Sequence, residues 1–436
     1  MNLRRRFLAR LGLLTVAPFA WWLRPAQGTA PWLSFRPAAF EVTTDSVLIW
    51  VCCDAEATVR VQYAAGEGWG EAMLSEPVTL ANGTGYTAAI PLRGLQPDRP
   101  YRYRITDADG KPRDADFTSG SFRTAPTAVR DFAFVFSGDT HARHRPFRLF
   151  ELMAEKKPDF FVHLGDTVYA DSPRSQFRAE LDYYRIKHRE VRGDALLQKF
   201  LAAVPAFAIW DDHEVENDFT RHHPAIPLGR QAFREFWPVR NEPGDDATVL
   251  YRRFKWSPAC EFFMLDTRQY RDQGGSDRGA DLTLLGARQL AWLKAGLKAS
   301  TAMFKFICTS VPFHQGGVDK WGGFRMERQA LVDFIRQEGI RNVVILSADL
   351  HAAGDLSDDK TGLTEFLVGP IAAPLQPVLA PNSRTRETAR PGSYVGDEYN
   401  FGLIRIAQRD GKTLLRHEVV DAQGKVRYAR EIAVGS

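Results

Sequence analysis

The chain has little cysteine, no apolar run long enough to cross a membrane, and no acidic residue in its first thirty positions. Its four cysteines, Cys52, Cys53, Cys260 and Cys308, show no metal-binding spacing, which excludes zinc ribbons and iron–sulfur cradles. Cys52 and Cys53 are strand neighbours pointing to opposite faces, and the other two lie in the apolar runs "PACEFFML" and "FKFICTS". All four read as buried thiols. The N-terminal apolar stretch from Leu11 to Leu23 falls short of the roughly 18 residues that a span requires, so no membrane span is expected in the mature chain. Arg4, Arg5, Arg6, Arg10 and Arg24 supply the whole positive excess, for the formal charge of +4 becomes −1 without them. The body therefore carries no nucleic-acid-binding signal and no charge argument for an anionic membrane. Internal repeats and low-complexity segments are also missing, which excludes solenoid architectures.

What is present begins with residues 1–30, a charged head, an apolar stretch and a small-residue region, the pattern of an export signal. Arg4 and Arg5 followed by Arg6, Phe7 and Leu8 resemble a twin-arginine signal, so the twin-arginine export machinery is the expected partner and the periplasm or the exterior the destination. Residues 31–126 alternate in short strands such as "SVLIWVCC", "ATVRVQY" and "RPYRYRIT", which predicts a small antiparallel sandwich. Within it, "GLQPDRPYRYRI" resembles the tyrosine corner of fibronectin type III domains, with Tyr101 or Tyr103 in the corner position. From 127 to 436 continuous apolar strands alternate with helices, "DFAFVFSGD" with "RPFRLFELMAEKK" first, and this rhythm predicts βαβ units. The C-terminal stretch "FGLIRIAQRDGKTLLRHEVV" returns to alternating strands that complete the second domain.

Four of the apolar strands end alike: "SGDTH", "LGDTVYAD", "WDDHE" and "SADLH". One acid after a strand is a turn or a helix cap. Four such endings converge, because α/β sheets gather their ligands at the carboxyl ends of strands. Oxygen and imidazole donors without thiolates suit Zn, Mn, Fe, Mg or Ca, so a dinuclear or multinuclear metal centre is expected.

These motifs resemble the calcineurin-like metallophosphoesterase superfamily, and within it the PhoD-type alkaline phosphatases and phosphodiesterases. "GDTVYAD" and "WDDHEVEN" carry the resemblance, with support from "LDTRQYRD" and "SADLH". It implies a four-layer α/β/β/α metallophosphoesterase sandwich preceded by a small all-β, fibronectin III/Ig-like domain. The activity it implies is hydrolysis of phosphate esters by metal-bound hydroxide. Position by position, it makes Asp166 the bridge between two ions. Asp139, Tyr169 and His351, with His141, would hold the first, and a tyrosinate there implies Fe³⁺. Asp212 and Asp349, with His314 and Asn217, would hold the second. Gly138 stands where many PhoD-type members have Cys, so the iron shell is expected to be of oxygen and nitrogen only; Asp349 stands where the superfamily has His, so the second ion is expected to be Ca²⁺ or Mn²⁺ ahead of Zn²⁺.

His213 is the expected acid for the leaving oxygen, beside metal ligand Asp212, with Asp211 or Glu214 orienting its ring. Arg268 has two readings, a phosphate contact or a buried pair with Asp266. The substrate also stays open among phosphomonoesters, nucleotide or teichoic-acid-like diesters, and phospholipid head groups in a phospholipase D-like reaction. A third class, a surface-binding protein with a vestigial metal site, predicts lost ligands, whereas all four strand endings are intact.

Overall fold

The computed structural model describes residues 32–435 apart from 67, 115, 242–245, 275–281 and 377–383; the export signal expected over 1–30 lies outside them. Continuous apolar sequences become fully buried strands. Phe132–Ser137, Phe160–Leu164 and Ala206–Ile209 pair in parallel and are buried at every position. They form the middle of a nine-stranded sheet. The C-terminal strands Asn400–Arg409, Lys412–Asp421 and Val426–Gly435 extend it on one side. A second, six-stranded sheet contains Cys260–Met264, Phe304–Cys308 and Val343–Ser347, again parallel.

The two sheets meet face to face through aromatic rings. Phe134 contacts Phe262 and Phe306 at centroid distances of 5.2 and 5.4 Å, and Phe160 contacts Phe262 at 5.5 Å, within the 4.5–7 Å range of favourable ring pairs. Helices cover the outer faces. Leu181–Arg192, Ala195–Ala203 and Ile226–Phe236 pack on the nine-stranded sheet, and Gly286–Ala299 and Arg325–Gln337 on the six-stranded one. The result is the expected helix, sheet, sheet, helix layering.

The N-terminal segment does not fold apart from this core. Ala38–Phe40, Ser46–Cys52 and Thr87–Arg93 join the far side of the nine-stranded sheet, where Phe40 pairs with Ala206. A separate five-stranded sheet, including Ala57–Ala65 and Pro100–Asp107, packs against them and completes the sandwich. In that sheet the Tyr101 hydroxyl accepts a hydrogen bond from the Gln96 amide at 2.9 Å, the bond of a tyrosine corner, whereas Tyr103 reaches the Pro37 carbonyl. The seam is sealed by Arg252, whose Nε lies 3.0 Å from both carboxylate oxygens of Glu41 and whose other end reaches the Ala208 carbonyl at 2.9 Å. On the helix-covered face, the buried Arg192 guanidinium lies between Trp237 and Trp50, at 4.3 and 4.5 Å from their ring centroids.

Candidate metal centre

Because the central strands run parallel, their carboxyl ends open on one side, and the chain turns sharply there. Asp139, Asp166, Asp349 and His351 all have φ between +52° and +73°, the left-handed region that non-glycine residues enter mainly at functional turns. This places three carboxylates and one imidazole in a common space. The turns need room as well: a Cβ on Gly369, at φ +110°, would stand 2.6 Å from Oδ2 of Asp139.

Two ligand groups result. Asp139, Asp166 and His351 each offer an atom within 4.8 Å of the others, and Asp166 also belongs to a second group with Asp212 and His213. Both carboxylate oxygens of Asp139 are buried without a hydrogen-bond partner among the described residues, an arrangement that is costly unless a cation fills it. Burial and the neighbouring acids push Asp139 and Asp166 well above the usual carboxylate range, and Asp349 up to about 7. His351 fits as a ligand, since its Nδ1 donates to the Pro374 carbonyl and leaves Nε2 for the cluster, 2.9 Å from the Tyr169 hydroxyl. The His141 ring lies 4.7 Å from that of Tyr169, with Nε2 on Ser172 at 3.0 Å, so it borders the group without entering it.

The acids of "WDDHEVEN" divide their tasks. Asp211 binds Arg268 through both oxygens and accepts from Ser310 at 2.6 Å. Asp212 faces the cleft. Glu214 accepts the Thr167 amide and hydroxyl at 2.6 and 2.7 Å and the Asp211 amide at 2.9 Å, so it ties two strand-end loops together. Glu216 pairs with Arg174 at the rim. The ring of His213 is held by Asp171, with Nδ1 at 2.7 Å from Oδ1, rather than by Asp211 or Glu214. Burial opposes charge on that ring, yet the Asp212 and Asp171 carboxylates outweigh it and raise its pKa to about 9.

Three further expectations change. Arg268 does not pair with Asp266, whose carboxylate accepts the Arg268 amide, nor does it face solvent: it is fully buried, bound to Asp211, with Nη2 at 3.5 Å from both Asp212 and Asp349. Direct contact with phosphate is thus replaced by charge balance beneath the acids. His314 is drawn away from the centre, its Nδ1 on the buried Glu365 at 2.8 Å and its Nε2 on Thr361 at 3.0 Å, so neither nitrogen is open to the Asp212 side. Asn217 is exposed at the cleft rim, its amide nitrogen donating to Asp218 at 3.0 Å.

Sequence reasoning missed Lys320. Its buried ammonium pairs with Asp319 at 2.5 Å and with Asp349. It comes from the glycine-rich loop "HQGGVDKWGG", in which no strand or helix period marks it. The cleft above the acids has a volume of about 880 Å³ and is bordered by His141, Arg143, Arg174, His213 and Lys320. Another cavity of about 720 Å³, near Thr43 and Phe254, has its buried acid Glu41 already paired with Arg252.

The solved structure of PhoD superposes on 94% of this chain and 94% of its own, with a TM-score of 0.78 and 21% identity, which shows a shared fold. Alkaline phosphatase D of Bacillus subtilis (strain 168) is 32% identical over 318 residues, 62% of this chain and 54% of that protein, so the match spans about half the length of this curated relative. The PhoD-like phosphatase N-terminal domain matches residues 38–126, which supply three strands of the nine-stranded sheet and the whole five-stranded one. Residues 132–416, which carry every strand ending described above, match the PhoD-like phosphatase domain itself, and the chain belongs to that family.

Proposed function

We propose that the chain is an exported metal-dependent phosphoric ester hydrolase that acts on phosphomonoesters, phosphodiesters or both. The observation that supports it most is the double membership of Asp166, whose carboxylate belongs to both ligand groups beside the unpartnered oxygens of Asp139. Asp139, Asp166, Tyr169 and His351 would hold one ion, and Asp166, Asp212 and Asp349 the other. The phenolic oxygen favours Fe³⁺ in the first position, and the carboxylates favour Ca²⁺ or Mn²⁺ ahead of Zn²⁺ in the second. Cations in these positions supply Lewis acidity, offsetting the negative charge of a phosphate ester and acidifying water.

The chain's own residues do the rest. Asp171 holds His213 by Nδ1, so its Nε2 is the atom that gives a proton to the leaving oxygen. The Tyr169 ring, 4.2 Å from that of His213, limits how far it can turn. The Arg268 guanidinium keeps Asp211, Asp212 and Asp349 together in a region of low dielectric. Export by the twin-arginine route fits the sequence pattern of residues 1–30, and no helix among the described residues is long and apolar enough to cross a membrane.

Elemental analysis of purified protein is expected to give about two ions per chain. Asp166→Asn should lower metal content and reduce turnover of aryl phosphates by at least about 100-fold. Less than one ion per chain, or a variant that keeps both ions and turnover, would falsify the reading. Rates on mono- and bis-aryl phosphates then give the ester class.

A further inference from the structure

We infer that Lys320 competes with the cation of the Asp212–Asp349 position and that Asp319, which already shares its ammonium with Asp349, keeps it when that cation binds. The inference rests on the metal-centre reading above. The two proposed ion positions differ in how their charge is balanced. Around Asp139 the carboxylate oxygens meet no hydrogen-bond partner among the described residues, so an incoming cation displaces no lysine or arginine from them. Around Asp349 two protein cations are already in place: Lys320 pairs with its Oδ2, and Nη2 of Arg268 lies 3.5 Å from its Oδ1 and 3.5 Å from Asp212.

Arg268 is unable to give way, being fully buried and bound through two nitrogens to both oxygens of Asp211. Lys320 differs on three counts. Its stem is flexible with a single terminal charge. It stands at the cleft wall. It also has a second carboxylate, Asp319, 2.5 Å from Nζ and lining the same cleft. A divalent ion between Asp212 and Asp349 and an ammonium on Asp349 are like charges at one carboxylate. Occupancy by one excludes the other, and an ammonium that gives up Asp349 stays paired with Asp319. The second ion is thus held less firmly than the first, to a degree set by residues that do not ligate it.

The experiment uses full-length protein dialysed against a weak chelator to strip the more labile ion, then titrated with Mn²⁺ by calorimetry, with elemental analysis of the product. Lys320→Met and Lys320→Gln should each bind the second Mn²⁺ at least about tenfold more tightly than the unaltered chain, the effect of one neighbouring like charge removed. Asp319→Asn should bind it at least about threefold more weakly, and the double variant Asp319→Asn/Lys320→Met should match Lys320→Met alone, because Asp319 acts through Lys320. A general field effect of Asp319 would persist in the double variant and overturn its assigned role. Affinities of both folded lysine variants within about twofold of the unaltered chain overturn the competition itself. If the unaltered chain binds no metal at all, the metal-centre reading fails and takes the inference with it; binding by the unaltered chain that the lysine variants leave unmoved refutes the inference alone.

Discussion

The acid role proposed for His213 needs a fixed ring, and Asp171 fixes it, its Oδ2 also accepting the Asn217 amide at 3.0 Å. His213→Ala is expected to slow esters with poor leaving groups most, steepening the dependence of rate on leaving-group pKa; equal loss on every ester would count against an acid role. Asp171→Asn keeps the shape but weakens the hold, and should cost about 10- to 100-fold in rate with metal content unchanged. The strand-ending acids were legible in the sequence because each follows an apolar run that ends abruptly, as in "HLGD" and "SADLH". Their partners were less so. Asp171 and His213 are 42 positions apart, and Glu365, which captures His314, lies in a strand, Thr364–Leu367, too short to show a period. Pair identity at such separations is decided by sheet packing, to which a local pattern gives no access.

At the scale of elements, the two sheets of the N-terminal sandwich have different allegiances. The strands of residues 31–126 were legible from their period-2 alternation, but alternation says which face is buried and not which sheet a strand joins. Phe40 pairs with Ala206, far along the chain, and that pairing makes the sandwich continuous with the catalytic sheet. Glu41 and Arg252 lock the seam, their side chains 5% and 3% exposed. Glu41→Ala leaves the Arg252 guanidinium buried without its counter-charge and should cost about 3–5 kcal/mol of global stability. Thermal unfolding should stay a single transition at lower temperature, since the N-terminal strands share the nine-stranded sheet. Two resolved transitions in the variant would show that the halves fold independently. Arg192, held between Trp50 and Trp237, ties the N-terminal strands to the helix side by stacking.

For the whole molecule, the proposed metal centre would couple stability to both metal and pH. Without cations, burial and mutual repulsion hold Asp139 and Asp166 well above their ordinary pKa and Asp349 up to about 7, whereas in the unfolded chain aspartates titrate near 4. Between these values the metal-free folded state keeps protons that the unfolded state has released, so its stability falls as pH rises through about 7. In a metal-loaded protein cations would replace those protons, and the loss would be absent there. Buried histidines titrate in the opposite sense: burial holds His163, His188 and His417 neutral, which favours the folded state as pH rises toward 6.5. They act equally in the loaded and metal-free states and cancel in the difference. The gap in melting temperature between loaded and chelated protein should therefore widen from pH 5 to pH 8. The proton release on Mn²⁺ binding at neutral pH should appear as a calorimetric heat that depends on the buffer's ionisation enthalpy. A gap independent of pH, with no such buffer dependence, would mean that these carboxylates carry no protons for the metal to displace.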